Sequence, residues 1–470
     1  MRTMLLLALG AGGCAALPPL AVPPEVSPPL PIHEARYAAP PASPKELPAP
    51  GRAPSSGLTL DEAIARVLVA DPKLRAGFEA INQANGDLVT AELKPNPTLS
   101  VLQSLLPLGR PFTVGKTGGP PQLDGILSWP VDWFVWGRRA ANMASASLGV
   151  RGSEADYADL IRTRVGDTAQ AFFAVLEARE LVEVARQDVE GLEGVLKVVT
   201  RAVGAGGKPK MEQDRIRVDL LNSRRTLRDA ETALAASKAR LRQMFGYTGG
   251  DPGFDVRGSL DEAPAEAPLD AESAYAVALK QRPDLLSLHL KLQKSQADVV
   301  AEDRKGYPDL AVQAGLTRQF QEKAIGAPDA SSYALGLVVA VPVFNRNQGN
   351  RLKAMSVVAQ NHHLLKAGMA DARSEIEQSL AELLTAQANA QALGGEQLRL
   401  AAGVRDAVTR AYEVGGRTLL EVLDARRSYR DTMRAAITVR AAAWRALYRF
   451  RTAIGQQVTT HDPSPRSAAP

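Results

Sequence analysis

Two carboxylates near the C-terminal end of the chain, Glu421 and Asp424, have a spacing that could form a charged site. They stand three residues apart, which places both on one face of a helix. They follow Gly415 and Gly416, which interrupt a helical pattern that contains no proline from residue 345 to residue 461. We therefore expect the chain to turn back on itself at the glycines, with both acids at the start of the returning helix.

Glu421 also has a structural explanation. Thr418 and Glu421 fit a capping box, in which the carboxylate three residues into a helix accepts a hydrogen bond from the backbone of the cap residue. Asp424 lies one turn further along and has no capping role. A solvated helix face and a functional acid both remain open for Asp424.

The remaining sequence offers little covalent chemistry. It contains no glycine-rich phosphate loop followed by Lys-Ser or Lys-Thr, no nucleophile triad and no metalloprotease motif. The adjacent His362 and His363 point to different sides of a helix, unlike a metal-binding pair one turn apart. We expect no catalytic residue, no cofactor and no resident metal, so this is not an enzyme and any energy has to come from a partner.

The composition favours long helices. Aromatic residues make up only 5% of the chain, and alanine, leucine, arginine, glutamate and glutamine dominate its middle. The 56 basic and 51 acidic residues give a net charge of +5, but they are spread along the chain. This distribution does not indicate a nucleic-acid partner.

The N-terminal segment has the pattern of an export signal. Residues 1–13 hold a basic residue, a short apolar run and small residues, and the apolar run is too short to span a bilayer. Cys14 follows and is the only cysteine, so an internal disulfide is excluded. Ala11-Gly12-Gly13-Cys14 resembles a bacterial lipoprotein signal, which predicts lipidation of Cys14, and Ala15 points by resemblance to the outer membrane. A plain cleaved signal and a free thiol are the alternatives.

Residues 14–57 hold 13 of the 32 prolines and cannot bury enough apolar surface to fold. We predict a proline-rich tether there.

The body of the chain that follows is an internal duplication. Residues 58–101 match residues 269–312 at a constant offset of 211, and Gly206 and Glu212 precede Gly415 and Glu421 by 209. Glu212 is therefore the tip acid of the first copy.

We predict a first repeat at 58–246, a linker at 247–268, a second repeat at 269–455 and a disordered tail at 456–470. Each repeat has the same order of elements: a helix of about 35 residues, two strands, a very long helix and a returning helix. The two copies place these elements at 60–93, 98–106, 123–133, 139–203 and 210–245, and at 271–305, 309–320, 333–343, 348–414 and 419–454. The two shorter helices of a copy together equal the long one, so we expect them to stack end to end beside it.

The predicted strands alternate apolar and small or polar residues over about ten positions, which is typical of a membrane barrel. The alternative is an ordinary hairpin that packs on a helix. In lipid a sheet must close, because each unpaired amide costs several kcal/mol, and four strands are too few to close alone. A membrane sheet therefore requires several copies of the chain.

From residue 58 to residue 455 the chain resembles the TolC family of outer-membrane efflux proteins. The resemblance rests on paired prolines and on the segment VGGRTLLEVLDA at residues 414–425. The paired prolines are Pro72 with Pro283, Pro97 with Pro308, and Pro130 with Pro342. It implies a mainly α fold with a small β part, in which long coiled-coil hairpins extend into the periplasm. It also implies a homotrimer that shares one twelve-stranded barrel in the lipids of the outer membrane.

The resemblance also implies site residues. Arg417, Glu421 and Asp424 match positions at the periplasmic aperture, where acids form a ring and an arginine helps to hold it shut. Gly206 and Gly415 match the hairpin tips that dock on a periplasmic adaptor, or membrane fusion, protein.

The first copy departs from the family pattern. Arg215 stands where an amide is common, and Lys208 and Lys210 make the first tip basic. The resemblance therefore does not imply that the two tips of one chain contribute equally to the aperture.

Three-fold symmetry among chains would still bring three copies of Glu421 and Asp424 towards one axis. Such a ring favours cations, binds divalent ions and raises the pKa of its carboxyl groups.

The segment VPVFNRNQG at residues 341–349 resembles the heavy-metal branch of the family. This favours export of metal cations together with a proton-driven inner-membrane pump of the RND type. Drug efflux and type I protein secretion remain alternatives. A periplasmic coiled-coil scaffold lipoprotein, with hairpins in place of a barrel, is an alternative of a different class.

Overall fold

The computed structural model describes residues 57–106, 108–109, 111–115, 119–247 and 253–456. Cys14, the predicted signal and nearly all of the predicted tether and tail lie outside these residues. In the described part of the chain, no helix combines the length and the apolar character needed to cross a membrane.

The two repeats form matching series of helices and strands. The first comprises α1 Leu60–Ala70, α2 Pro72–Glu92, β1 Thr98–Ser104, β2 Gln122–Pro130, α3 Asp132–Val135, α4 Arg138–Gly204 and α5 Lys210–Met244. The second comprises α6 Ala271–Gln281, α7 Pro283–Lys305, β3 Asp309–Gln319, α8 Glu322–Ile325, β4 Ala330–Ala340, α9 Gln348–Ala392, a π-helical segment Leu393–Gln397, α10 Leu398–Glu413 and α11 Leu419–Ala453.

The first helix of each repeat is broken, so the prediction of one continuous helix at 60–93 and at 271–305 was wrong. Pro72 begins α2 and Pro283 begins α7. The preceding residues, Asp71 and Arg282, are extended, with ψ angles of 118° and 116°. A proline ring disfavours the helical conformation at the residue before it, which ends the first helix and starts a second.

The second half of each broken helix takes part in the predicted end-to-end stacking. Gly246, just after α5, has a φ of +67°, and a Cβ there would lie 2.7 Å from the carbonyl oxygen of Ala70 and 2.8 Å from Pro72. The end of α5 therefore abuts the start of α2, and α4 runs beside both. Gly455, just after α11, meets Gln281 and Arg282 in the same way. End-to-end stacking beside the long helix is therefore confirmed for the second halves, α2 and α7, and not for the whole predicted helices.

The core follows the predicted coiled-coil seam of α4. Val175, Val182, Val189 and Val199 are buried along it. With 67 residues, α4 is about 100 Å long. Burial is richest near the α1–α2 break, where Phe172 and further aromatic residues of both repeats pack together.

The four strands form one antiparallel sheet in the order β1-β2-β3-β4. One face carries apolar residues that remain exposed: Leu99, Val101, Leu127, Trp129, Val312, Leu316, Tyr333, Leu335 and Leu337. Among the described residues no long helix covers this face, and Leu335 is 81% exposed. An ordinary hairpin packed on a helix does not have this exposure.

The two long helices differ in one respect that the sequence pattern did not predict. Whereas α4 is continuous, the corresponding helix of the second repeat is interrupted at the π-helical segment, which includes Gly394 and Gly395. A π-helical turn inserts a residue and weakens the local hydrogen-bond ladder.

Candidate functional site

The two hairpin tips share one backbone geometry. The N–H of Gly206 donates to the carbonyl of Val203 at 3.0 Å, and that of Gly207 donates to Ala202 at 2.9 Å. In the second tip, Gly415 and Gly416 donate to Tyr412 and Ala411 at 3.0 and 2.8 Å. Each pair forms a Schellman motif, which ends a helix through a residue in the left-handed region.

Glycine supplies that conformation at both tips. Gly206 has a φ of +73° and Gly415 a φ of +80°, and nothing lies within 4 Å of a Cβ added at either. Both glycines are thus at exposed turns, as predicted, and the conformation of the backbone rather than crowding requires them.

The second tip is fixed by a complete capping box. Thr418 caps α11 by accepting from the N–H of Glu421, and Glu421 Oε2 accepts from the N–H of Thr418 at 2.8 Å. Arg417 donates to Glu421 Oε1 at 2.7 Å. The structure therefore brings Arg417 and Glu421 together, but as an exposed ion pair within one chain.

These contacts change the expected titration of Glu421. Hydrogen bonds from the backbone and hydroxyl of Thr418, together with Arg417, lower the pKa of Glu421 below its ordinary value. We expected the pKa of Glu421 to rise in a ring of acids. Within the one described chain it falls instead, because the neighbours of the carboxylate are hydrogen-bond donors and a cation rather than a second carboxylate.

Asp424 lies one turn further along α11 and is exposed. Its closest charged partner is Arg427, at 3.7 Å, and the same guanidinium lies 3.8 Å from Asp219 of α5. Arg427 thus stands between an acid of each repeat. Both predicted aperture acids have an arginine beside them, so the net charge of the tip is smaller than the acids alone would give.

The first tip is built differently. Pro209 precedes α5 and provides no side-chain cap, so Glu212 is free of the capping role of Glu421. Glu212 instead meets the other repeat: the hydroxyl of Tyr412 donates to its Oε2 at 3.5 Å. Lys208 lies 3.7 Å from the same carboxylate and 4.9 Å from the centre of the Tyr412 ring.

Tyr412 is the tip residue that sequence reasoning missed. Burial and the charge of Glu212 raise the pKa of Tyr412, which keeps its hydroxyl protonated as a donor. The available signal was an aromatic residue with a hydroxyl three positions before the tip glycine. The pairing itself could not be read from sequence because Glu212 is 200 residues away.

The described residues contain no group of three or more His, Cys, Asp or Glu side chains with metal-binding geometry. The ring centres of His362 and His363 are 5.8 Å apart on α9. The features that the two repeats do present are paired helical hairpins, charged hairpin tips and a sheet with an exposed apolar face.

A family comparison accounts for this combination. The family described as "Outer membrane efflux protein" matches residues 63–247 and 274–456, which together make up most of the chain. The chain belongs to the outer membrane efflux protein family. This is a family of channels rather than of enzymes, and the predicted resemblance is confirmed.

The efflux protein is similar to curated relatives over most of its length. It is 26% identical over 375 residues to the cobalt-zinc-cadmium resistance protein CzcC of Cupriavidus metallidurans, covering 79% of this chain and 84% of the relative. It is also 26% identical over 413 residues to the pyoverdine export outer membrane protein OpmQ of Pseudomonas aeruginosa, covering 84% of this chain and 85% of OpmQ.

Among solved structures, CusC, a protein described as forming a transmembrane channel, matches with a TM-score of 0.68 and 18% identity, over 85% of this chain and 92% of that chain. The match confirms the predicted fold class, mainly α with a small β part. Family and fold together make this protein an efflux channel component of the outer membrane.

Proposed function

We propose that three copies of this efflux protein form one duct that carries heavy-metal cations across the periplasm and the outer membrane. The observation that carries the proposal is that a single chain leaves surfaces without partners. These are the two edge strands of the sheet and the apolar stripes on the two outer helices of the hairpins.

Among the strands that the structure describes, β1 and β4 each have a neighbour on one side only. All eleven residues of β4 are exposed. Amides along such an edge have no partner in lipid, and each costs several kcal/mol unless another strand pairs with it. Pairing of β4 with β1 of the next copy would close a shared barrel.

The hairpins show the same asymmetry. Helix α10 packs on α11, α11 on α4, and α4 on α5. The outer two helices, α5 and α10, carry exposed apolar residues on stripes of helical spacing: Met211, Val218 and Leu221 on α5, and Leu400 and Val404 on α10. No residue of α10 is buried within the chain. Different stripes at opposite edges suit head-to-tail contacts, which close into a ring.

In such a ring Glu421, Asp424 and Arg417 face a common axis at the periplasmic aperture, and Glu212 borders it from the first tip. The exposed turns at Gly206 and Gly415 then form the docking tips for a periplasmic adaptor. The adaptor connects the duct to an inner-membrane pump of the RND type, which supplies the energy.

Heavy-metal cargo is supported by the similarity to CzcC and by the resemblance of residues 341–349 to the heavy-metal branch.

Lipidation of Cys14 would add an anchor in the outer membrane, with residues 14–57 as its tether. Mass spectrometry of the mature protein tests this anchor: acyl chains on Cys14 support it, and their absence from wild type refutes it.

The experiment that tests the cargo is deletion of the gene, with growth measured on zinc, cobalt, cadmium, copper and a panel of drugs. Sensitivity to one or more metals, restored by the wild-type gene, supports metal export. Unchanged growth on every metal, together with sensitivity to drugs, contradicts it.

A siderophore or another organic cargo is a second candidate, because OpmQ, a pyoverdine export protein, matches this chain over a similar length. Drug efflux and type I protein secretion use the same architecture. The scaffold alternative, by contrast, gives no reason for the uncovered apolar face of the sheet. A soluble, non-conducting rod in place of a bilayer channel would support the scaffold.

A further inference from the structure

The four-stranded sheet has a second face, opposite the exposed apolar one. Residues that pair across neighbouring strands share a face, so the register assigns every second residue to it. One row across all four strands consists of Leu102, Asp124, Thr317 and Ser332. Small and polar residues dominate the other rows of this face, among them Ser100, Ser128, Gln313, Gly315, Ala334 and Gly336. With the apolar face in lipid, this second face lines the interior of the shared barrel.

Asp124 is held on the interior face by neutral side chains. The hydroxyl of Thr317 donates to Asp124 Oδ1 at 2.6 Å, and the side-chain amide of Gln122 donates to Oδ2 at 2.8 Å. Thr317 is the residue that pairs with Asp124 across the strands. Because neither donor carries a charge, the two contacts fix the orientation of the carboxylate without neutralising it.

The other charged residues of the described strands do not compensate this carboxylate. Asp309 lies on the same face at the end next to the helices, where it pairs with Arg138 at 2.6 Å. Arg318 lies on the apolar face and contacts Asp329 at 3.5 Å. Within the described strands, the interior face therefore carries an uncompensated negative charge at Asp124.

Asp124 lies at the end of the barrel that is remote from the helices. Strand β2 runs from Gln122 to Pro130, and the chain then continues into α3 and α4. Asp124 is thus near the external exit, whereas the tip acids lie beyond α4, which is about 100 Å long. This distance is on the order of ten Debye lengths at 0.1 M salt, so the two charged levels act independently.

The width of a twelve-stranded barrel determines how far the charge at Asp124 acts. With strands about 4.8 Å apart and tilted by about 40°, twelve strands enclose a backbone cylinder about 24 Å wide. A carboxylate that projects about 4 Å inward is about 8 Å from the axis of that cylinder. The Debye length is about 30 Å at 0.01 M salt and about 3 Å at 1 M. Three such charges therefore act on the whole cross-section in dilute salt and on little of it in concentrated salt.

We propose that Asp124 determines charge selectivity at the external exit of the duct, where its three copies favour cations over anions. The inference rests on the proposed trimeric duct and deepens it, since a negative charge on the wall of the exit suits a cationic cargo. It concerns a level of the duct that is separate from the tip acids, so each level has its own effect on permeation.

The test is the ratio of K⁺ to Cl⁻ permeability of the purified full-length protein in planar bilayers. Reversal potentials are measured in KCl gradients centred on 0.01 M and on 1 M. The background carries Glu421→Gln with Asp424→Asn, which removes the tip acids. On this background, Asp124→Asn should lower the ratio about two- to three-fold in dilute salt and leave it unchanged at 1 M. Asp124→Glu keeps the charge and should retain most of the ratio.

Two variants of β4 test whether the interior face matters. Ser332 lies in the row of Asp124, and Ser331 lies next to it on the opposite face. Ser332→Asp should restore the ratio of Asp124→Asn in dilute salt, because it returns a carboxylate to the same height of the interior wall. Ser331→Asp is the matched control and should not restore it. Heat-modifiable migration on gels verifies that each variant still assembles.

The outcomes separate this inference from the proposed duct. A wild-type protein that assembles but does not conduct overturns the duct and the exit residue together. A conducting background whose ratio in dilute salt is unchanged by Asp124→Asn overturns the role of Asp124 alone. Equal restoration by Ser331→Asp and Ser332→Asp would also contradict that role, since the effect would then not depend on the interior face.

Discussion

Asp71 and Arg282 occupy the same place in the two repeats but carry opposite charges. Each precedes the proline that breaks the first helix, and they are 2% and 7% exposed. Asp71 pairs with Arg164 at 2.6 Å and Arg282 with Glu375 at 2.6 Å, and 93 residues separate the partners in both pairs. The duplicated fold therefore keeps, at the helix break, an ion pair whose member before the proline is buried, and it reverses the polarity of that pair.

The first pair should contribute strongly to stability. Asp71→Asn retains the cap of α2, where Asp71 Oδ1 now accepts from the N–H of Lys73, but leaves Arg164 without its buried partner. Removing one member of a buried pair costs about 3–5 kcal/mol. We expect a corresponding loss in the free energy of unfolding, measured by urea denaturation of the assembled protein.

Asp167→Asn is the control for this prediction, because Asp167 contacts the same Arg164 at 3.4 Å but is exposed. Its loss should change stability by less than about 1 kcal/mol. Combining Asp71→Arg with Arg164→Glu copies the polarity of the second repeat and should recover part of the loss. Equal effects of Asp71→Asn and Asp167→Asn would contradict the assigned role.

Much of this architecture was predictable because it depends on local periodicity. The long α4, its coiled-coil seam and the four strands follow from repeating apolar positions, and the repeat offset fixed the equivalence of the two tips. The breaks at Pro72 and Pro283 were missed because each half alone continues a helical pattern. The π-helical segment was also missed, since a single π-helical turn in a long helix leaves little trace in composition.

The charge of the aperture should depend on its arginines as well as on its acids. Glu421→Gln together with Asp424→Asn should reduce cation selectivity and block by divalent ions, because the carboxylates are removed. Reversal potentials in salt gradients measure this selectivity. Glu413→Gln, an exposed acid just before the tip, is the matched control, and unchanged selectivity in the double variant would refute the ring.

Arg427→Gln should have the opposite effect. Its guanidinium lies between Asp424 and Asp219, so its removal leaves two carboxylates without a nearby cation. We expect stronger cation selectivity and block at lower concentrations of a divalent ion, measured in the same bilayer assay. Weaker block in Arg427→Gln would show that Asp424 does not face the permeating ions.

The lowered pKa of Glu421 determines the pH range over which this one carboxylate stays charged. A carboxyl group whose folded-state pKa is depressed contributes stability above its unfolded pKa and loses it as pH falls through the folded value. The charge of Glu421 is kept over the same range, so its contribution to cation selectivity should stay constant from about pH 7 to about pH 5 and be lost only below the ordinary glutamate pKa of about 4.3. A Glu421-dependent change above about pH 5, absent from Glu421→Gln, would instead support the raised pKa of a crowded ring.

The tip glycines offer a test of adaptor docking. Gly415→Ala should cost about 1–2 kcal/mol because its φ of +80° is unfavourable for alanine, whereas asparagine adopts this conformation more readily. If docking requires only the backbone turn, Gly415→Asn retains adaptor binding and Gly415→Ala weakens it. Cross-linking to the adaptor in cells measures both. Full binding by both variants would contradict a docking role for this tip.

The candidate site was less predictable than the fold. The contact between Thr418 and Glu421 could be predicted from sequence because a capping box joins residues that are only three positions apart. The contacts of Glu212 with Tyr412, and of Asp188 with Arg430, join residues that are 200 and 242 positions apart. Such contacts follow from how the two hairpins pack, which periodicity within one helix does not specify.

The apolar edges of α5 and α10 should determine assembly. Val404→Lys places a charge on the exposed stripe of α10, and we expect loss of the heat-modifiable oligomer without loss of helix content by circular dichroism. Val218→Glu on α5 lies at a similar height above the tip and should restore assembly when combined with Val404→Lys. Oligomers that tolerate Val404→Lys would place the interface elsewhere.

The most direct test of the shared duct is native mass spectrometry of the full-length protein extracted from outer membranes in detergent. Four strands with two open edges require other copies to complete the wall, so the account predicts a complex of three chains. A stable single chain in that preparation would contradict it.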